Sequence, residues 1–286
     1  MKKNGLGYLL VSAPIAVIVM ILVVPLFYTL FISFHNFDYI VLGAFTGLKN
    51  YTSVFRTSRI TDSFIRSFVV TFAATAGAMF FGVLLSLWIN TKYGRYAMFL
   101  QILSLIPWFT SMVVCSMTWR WIFNMDYGPL NYALRLFGRN PVKILESPKN
   151  ALIALICIMC WRLIGYVMIL VLSGLKALSF SMLEAAMIDG ANDFQMLMRI
   201  KLPNIKSQII LAFIIISLAT INNSTIPLAF NNGGPANATD VVALELYRLG
   251  FQHYSFGEAC ALSIMVLIIN IVIIIFYMRS MNYANK

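Results

Sequence analysis

Six long apolar segments dominate this sequence and limit what it can fold into. They span residues 8–34, 63–90, 97–123, 150–173, 207–229 and 257–279. As a helix, each is long enough to cross about 30 Å of hydrocarbon. Of the 286 residues, 60% are hydrophobic and 11% are charged, whereas about 25% of the residues of soluble domains are charged. The sequence therefore predicts an all-α integral membrane protein with six transmembrane helices.

Basic residues predict how these spans are oriented. Lys2 and Lys3 precede the first span, whose apolar run is too long for a cleaved signal peptide, so we interpret it as an uncleaved anchor. The short loop at 91–96 and the longer loop at 174–206 carry further lysines and arginines, which favours a cytoplasmic location for both. Six spans then place both termini in the cytoplasm. The net charge of +11 is accordingly assigned to membrane orientation, and nucleic acid is not expected as a partner.

The sequence lacks the patterns of common catalytic and metal sites. It has no GxxxxGK[ST] loop for ATP and no HExxH pair, and its two histidines, His35 and His253, are far apart. Cys157 and Cys160 form a CxxC pair, but they lie inside an apolar span without the βαβ context of a redox site. We therefore predict neither a catalytic nor a metal site on this chain.

The loop between the fourth and fifth spans has the local chemistry of two short helices joined by a bend. Ser181 and Glu184 predict a capping box at the start of the first helix. Gly190 is suited to the left-handed conformation that ends a helix. Asn192 and Gln195 predict the start of a second helix.

Apolar side chains recur at helical spacing in both halves of this loop. They are Met182, Leu183, Ala186 and Met187 in the first half, and Phe194, Leu197 and Met198 in the second. Helices this short are not stable alone, so their apolar faces must pack against the chain's own bundle or against a groove of another protein. Spacing leaves both possibilities open, and by itself it favours the bundle.

A longer motif in this loop carries a family resemblance. Glu184-Ala185-Ala186, Gly190, Ile200 and Leu202-Pro203 follow the pattern EAA-x3-G-x9-I-x-LP without a gap. This pattern resembles the permease subunits of ATP-binding-cassette (ABC) importers that work with a solute-binding protein. Other stretches resemble the carbohydrate, maltose-permease-like branch of that family: 47–51, 106–108, 119–120, 174–178, 188–191, 231–235, Thr239 and 256–257.

The resemblance implies the transmembrane fold of a type I ABC importer and a coupling role for the EAA loop. The loop would dock in a cleft of an ATP-hydrolysing subunit and transmit its movement to the spans. The implied coupling residues are Glu184, Ala185, Ala186, Asp189, Gly190, Phe194, Ile200, Leu202 and Pro203. For Glu184 a helix-capping role stays equally open, and Asp189 is also compatible with a solvated turn.

The resemblance also implies partners, location and a division of the chain. The partners would be a second, different permease subunit, two ATP-binding-cassette subunits, an extracytoplasmic solute-binding protein and membrane lipid. ATP and Mg²⁺ would bind those partner subunits, and this chain would hold no cofactor. The protein would lie in the bacterial cytoplasmic (inner) membrane. Its divisions would be an anchor span with an outer loop at 1–62, a five-span permease core at 63–280, and the coupling loop at 174–206 within that core.

Polar residues inside the spans are the candidates for a substrate pathway. Asn222, Asn223 and Thr225 interrupt the fifth span. The resemblance to the maltose-permease-like branch implies that the Asn pair lies where those permeases carry residues of the substrate pathway. Arg162 lies near the middle of the fourth span, with Tyr166 one turn further on. The alternatives are helix–helix hydrogen bonds for the asparagines and snorkelling to the interface for Arg162.

The resulting hypothesis is an ATP-driven importer subunit that translocates a sugar or oligosaccharide. One alternative keeps this machinery and changes the solute to a glycerol phosphate or a polyol. Another is an ion-coupled secondary transporter, which would leave the cytoplasmic helix pair without a partner. It also needs an intramembrane carboxylate, whereas nearly all acidic residues lie in loops or at span ends.

Overall fold

A computed structural model describes residues 11–12, 14–39 and 41–284, with side chains up to 279. The helices are α1 Pro14–Ser33, α2 Lys49–Arg56, α3 Ser58–Asn90, α4 Gly94–Phe109, α5 Met112–Ile122, α6 Pro129–Leu136, α7 Pro148–Lys176, α8 Phe180–Ile188, α9 Asp193–Asn204, α10 Lys206–Ile221, α11 Thr225–Asn231, α12 Val242–Phe251 and α13 Phe256–Ala284. Lys2, Lys3 and Lys286, on which the orientation of the termini was predicted, lie outside the described residues.

Among the described residues, four helices are each long and apolar enough to cross a membrane: α1, α3, α7 and α13. They correspond to the first, second, fourth and sixth predicted spans, although residues 8–10 of the first lie outside the described residues. Two bent helix pairs, α4 with α5 and α9 with α10, bring the number of candidate spans to six. The prediction of a helical membrane fold is thus confirmed, with four to six candidate spans among the described residues.

The third and fifth predicted spans are not continuous helices. In the third, α4 and α5 meet at 92°, because the backbone of Thr110 and Ser111 is extended, with ψ of 136° at both residues. In the fifth, α10 has 16 residues, about 24 Å, and ends before the polar residues 222–224. α11 then begins at Thr225.

A two-stranded antiparallel sheet follows α1, and the sequence did not predict it. Strand β1 (His35–Asp38) pairs with β2 (Val41–Phe45), with an irregular register between His35 and Phe37. The Asn50 amide donates to the carbonyls of Ser33 and His35 at 2.9 and 2.8 Å and so fixes the chain where α1 ends and β1 begins. The fold is therefore helical with one short hairpin in the predicted outer loop.

The chain divides into two compact units, each made of two separate stretches of sequence. One comprises Met1–Thr61 and Glu245–Ile269, and the other comprises Asp62–Leu244 and Asn270–Lys286. In the first unit, Glu245 accepts ion pairs from Arg59 and Arg248, each at 2.7 Å, and this group is largely buried.

The second unit is built around α7. Its buried apolar residues include Leu163, Val167 and Val171 of α7, which pack with residues of α3 and α10. Gly165 lets α7 approach α4 closely, since a Cβ there would lie 2.0 Å from the Ser104 carbonyl oxygen. This close packing places Arg162 and Tyr166, which flank Gly165, beside the bend of the third span.

Candidate functional site

The first helix of the predicted coupling loop, α8, ends in a left-handed glycine turn. Gly190 has φ +81°. The Ala191 amide donates to the Ala186 carbonyl and the Gly190 amide to the Met187 carbonyl, both at 3.0 Å. These two bonds form a Schellman motif, which satisfies carbonyls at the end of the helix. The predicted role of Gly190 as a helix-ending residue is confirmed.

The second helix, α9, begins with the predicted capping box. Asn192 accepts from the Gln195 amide at 2.8 Å, and the Gln195 side chain accepts from the Asn192 amide at 3.0 Å. α9 contains a π-helical stretch over Met196–Lys201 and ends at Asn204, one residue after Pro203. It then bends by 63° into α10.

The other predicted capping box is wrong. α8 begins two residues earlier than the sequence suggested, with Ser179 at the N-cap, and no side chain caps it. Ser181 therefore lies inside the first turn. Glu184 is exposed on the helix surface, which leaves its carboxylate accessible.

The loop has a buried face and an exposed face, and both are apolar. Ala186, Met196 and Ile205 are buried, and Ile205 and Leu202 pack into the core around α7. The opposite face carries large exposed side chains: Phe180, Met187, Ile188, Phe194 and Met198. We call these five residues the loop apolar surface.

The nine predicted coupling residues divide between these two faces. Glu184, Ala185, Asp189, Gly190, Phe194 and Pro203 are exposed, Ile200 and Leu202 are partly buried, and Ala186 is buried. The end of the motif thus anchors the loop to the bundle, while its middle is presented outward. Ile188, which the sequence analysis did not single out as an apolar contact, is at 85% exposure the most exposed of the five residues of the loop apolar surface.

Within the membrane-spanning part, Arg162 binds the chain at the bend of the third span. Its Nη2 donates to the carbonyls of Trp108 at 3.0 Å and Thr110 at 3.2 Å. The guanidinium also lies 5.1 Å from the centre of the Trp108 ring. These contacts compensate a buried charge with carbonyls that the helix break leaves available.

Tyr166 supports the same bend from one turn further along α7. Its ring stacks on Trp108, with centroids 4.3 Å apart and planes at 21°. The predicted shared face of Arg162 and Tyr166 is therefore present. Trp108 connects the two side chains, because its carbonyl and ring contact Arg162 and its ring stacks on Tyr166.

The break in the fifth span is held by its two asparagines. Asn223 accepts from the Ile226 amide at 2.9 Å and donates to the Met112 sulfur at 3.3 Å, which joins the start of α11 to the start of α5. Asn222 accepts from the side chain of Asn270 at 3.1 Å. The helix–helix hydrogen bonds that the sequence offered as an alternative are thus present.

The two helix breaks meet at one small cavity. Residues of the third span (Trp108, Met112), of α7 (Met159, Arg162, Leu163) and of the fifth span (Ala219, Thr220, Asn223, Ile226) line it. Its volume is about 40 Å³, which holds water but is far below the roughly 300 Å³ or more of a small-molecule site. Of the predicted pathway residues, Arg162 and Asn223 line this cavity, whereas Tyr166, Asn222 and Thr225 do not.

Trp108, Met112 and Thr220 were missed as members of this cluster. Trp108 follows Pro107, and an apolar run containing a proline is a signal for an irregular helix end. Met112 and Thr220 carry no such signal, because an apolar residue or a single threonine inside a span is usual.

Comparison with known proteins gives matches along almost the whole chain. Residues 4–286 match the family described as binding-protein-dependent transport system inner membrane component. The trehalose/maltose transport system permease protein MalF of Thermococcus litoralis is 28% identical over 283 residues, covering 97% of this chain and 94% of that protein. The sulfoquinovosyl glycerol transport system permease protein SmoG of Agrobacterium fabrum is 26% identical over 274 residues, covering 94% and 88%.

Solved structures share the fold. A chain of a bacterial alginate ABC transporter, in complex with an alginate pentasaccharide-bound periplasmic protein, superposes with a TM-score of 0.83 at 21% identity, covering 96% of this chain and 93% of that chain. A second structure of a bacterial ABC transporter involved in alginate import also gives 0.83, at 22% identity, covering 100% and 98%. These likenesses confirm the predicted transmembrane fold.

Proposed function

Because this chain belongs to the family of binding-protein-dependent transport system inner membrane components, as the EAA motif predicted, we propose that it couples ATP hydrolysis on partner subunits to import of a saccharide. The chain is a permease subunit of an ABC importer. A transport permease of this family is not itself the catalytic component. The proposal adds how the subunit is driven and what it carries.

The loop apolar surface is the observation that carries the coupling proposal. Phe194 is 67% exposed and Ile188 is 85% exposed, and an exposed apolar patch on an ordered structure is typical of a protein-binding site. Meanwhile Leu202 and Ile205 fix the same loop to the core around α7. A force applied to the exposed face would therefore reach the spans through α9 and its bend into α10.

We propose that two ATP-binding-cassette subunits provide that force, one of them through a cleft that covers the loop apolar surface. Mg²⁺ and ATP would bind those subunits. A second permease subunit and an extracytoplasmic solute-binding protein would complete the importer in the cytoplasmic membrane, with both termini and the loop on the cytoplasmic side. Relatives named for transport systems and a fold shared with a transporter bound to a periplasmic protein support this assembly.

A saccharide is the proposed solute. The relatives' names include trehalose/maltose, sulfoquinovosyl glycerol and xylose/arabinose transport, the last at 31% identity over 61% of this chain. The cavity between the helix breaks has polar groups from Asn223, Thr220 and Arg162 beside the Trp108 ring, which suits hydroxyl and C–H faces of a sugar. Its volume of about 40 Å³ requires the two breaks to separate before a sugar could pass.

A negatively charged solute, such as a glycerol phosphate or an acidic sugar, is the second candidate. Arg162 lines the cavity, and its Nε has no hydrogen-bond partner among the described residues. No aspartate or glutamate lies among the described residues that line this cavity. An anionic group on the solute would therefore meet an uncompensated donor when the cavity opens.

Reconstitution into proteoliposomes tests the proposal. We expect accumulation of a labelled sugar only when the second permease, the ATPase subunits, ATP and the solute-binding protein are all present. A panel of neutral and acidic sugars and glycerol phosphate separates the two candidates by competition. Uptake driven by an ion gradient without any ATPase subunit would contradict the proposal and favour a secondary transporter.

A further inference from the structure

A second pocket, with a mixed polar and apolar lining, lies where three membrane-spanning helices end or begin. It is lined by residues at the end of α3, the start of α4 and the end of α7, including Asn90, Lys92, Gly94, Met98, Gln101 and Lys176. We call this the basic interface pocket. It is separate from the cavity at the helix breaks and from the loop apolar surface, and neither coupling nor the solute pathway uses its residues.

The position of this pocket relative to the membrane follows from the helices that form it. α3 and α7 are both long and apolar enough to cross hydrocarbon, and the pocket lies where both end. Whatever the orientation of the chain, the ends of two spans lie at a membrane surface. The largely exposed aromatic rings of Trp88, Tyr93 and Tyr96 around this turn are typical of that level.

The charge of the pocket favours an anion. Lys92 and Lys176 line it, and no carboxylate lies among the described lining residues. Lys92 also lies over the Trp88 ring, with its Nζ 5.6 Å from the ring centre, which holds the ammonium group near the pocket. Lysines after a helix end can simply offset the helix dipole, but that role does not require the side-chain amides of Asn90 and Gln101, which line the same pocket.

The size and polarity of the pocket fit a phospholipid headgroup. Its volume is about 470 Å³, within the range of about 300–1,000 Å³ for small-molecule sites. Two ammonium groups and two side-chain amides would bind phosphate oxygens and glycerol hydroxyls, while Ala97 and Met98 offer apolar contact to the first carbons of the acyl chains. Basic pockets between membrane helices bind anionic lipid headgroups for these reasons.

We propose that the basic interface pocket binds the headgroup phosphate of an anionic phospholipid such as phosphatidylglycerol. The lipid would bridge the end of α7, which continues into the coupling loop, and the α3–α4 turn. The bound ligand belongs to the surrounding membrane, so this proposal stands whether or not the chain imports a sugar.

Native mass spectrometry of the full chain in neutral detergent tests the proposal. The probes are phosphatidylglycerol, phosphatidylcholine and inorganic phosphate. Each lysine near an anionic lipid is expected to contribute about fivefold in affinity, so the double variant K92Q/K176Q should bind phosphatidylglycerol about 25-fold more weakly. K143Q/K149Q makes the same charge change at two exposed lysines outside the pocket and should bind it as the unchanged protein does.

Two further arms make each outcome decisive. K92R/K176R keeps the charge and should retain the lipid, which separates lost binding from a fold defect in K92Q/K176Q. Phosphatidylcholine should show no dependence on either lysine. Equal phosphatidylglycerol binding by K92Q/K176Q and K143Q/K149Q would overturn the proposal, and so would displacement of the lipid by inorganic phosphate at matched concentration, because the site would then select a free anion.

Discussion

The coupling loop exposes apolar side chains, whereas the cluster around Arg162 buries a charged one. In the loop, Ile188 and Phe194 are mostly exposed although both are apolar. In the cluster, Arg162 is only 8% exposed although it is charged, and its Nη2 donates two hydrogen bonds to backbone carbonyls of a broken helix. The loop therefore leaves apolar area uncovered, whereas the cluster satisfies most of its buried charge with carbonyls of its own chain.

This difference teaches where the subunit needs other molecules. Uncovered apolar surface on an ordered loop gains free energy when a partner covers it. A buried charge that is bound to carbonyls is stable only while those hydrogen bonds remain, because an unpaired buried charge is costly. We therefore expect changes in the cluster to alter the stability of this chain, and changes in the loop to alter coupling.

The largest expected effect is that of Arg162→Leu. The substitution leaves the carbonyls of Trp108 and Thr110 without their donor, and each buried unpaired group costs about 1–3 kcal/mol. We expect a loss of about 2–5 kcal/mol in stability, measured by thermal unfolding in detergent, together with loss of uptake.

Arg162→Lys is the matched control, because it keeps the charge but not the planar donor pair. It should lie between the unchanged protein and Arg162→Leu in stability. Normal uptake by Arg162→Leu would show that the residue has no role in the solute pathway. An unchanged unfolding temperature would show that the bend of the third span does not need it.

The next effect concerns the close approach of α7 and α4. In Gly165→Ala, the new Cβ would lie 2.0 Å from the Ser104 carbonyl oxygen, so the helices must separate at a cost of about 1–3 kcal/mol. Gly250→Ala is the control, since its Cβ would lie 3.8 Å from the nearest atom, the Ala259 Cβ. We expect lower thermal stability for the first and unchanged or higher stability for the second. Equal behaviour of the two would show that the helices separate without cost.

The smallest effect on stability and the largest on coupling are expected at Gly190. Its φ of +81° is unfavourable for a β-branched residue, at a cost of about 1–2 kcal/mol, but a Cβ there meets nothing within 4 Å. Gly190→Val should therefore accumulate in the membrane and lose ATP-driven uptake. Asparagine tolerates the left-handed conformation, so Gly190→Asn should keep part of the ATP-driven uptake. Normal co-purification of the ATPase subunit and normal coupling in Gly190→Val would count against the coupling role.

The sequence predicted the loop better than the spans, and the reason is the range of the interactions. The glycine turn at Gly190 and the capping box of Asn192 and Gln195 involve residues within a few positions of one another, so local chemistry identifies them. The first capping box was wrong: the helix begins after Ser179, although Ser181 is the serine with a glutamate three residues further on.

The breaks in the third and fifth spans depend on distant residues. Thr110 and Ser111 lie in a run that is apolar enough for one continuous helix, and the carbonyls freed by their extended backbone are bound by Arg162, more than fifty positions away. Asn223 likewise caps α11 and contacts Met112. The sequence could mark Arg162 and the asparagines as unusual within spans, but not that two helix breaks meet at one cavity.

Photocrosslinking from position 188 tests the coupling account most directly. A photoreactive side chain in place of Ile188 in the assembled importer should form an adduct with an ATP-binding-cassette subunit. The same group in place of Tyr127, an exposed aromatic residue outside the loop, should not. Adducts from position 188 that contain only this chain would contradict the account, because the loop apolar surface would then be covered by its own subunit.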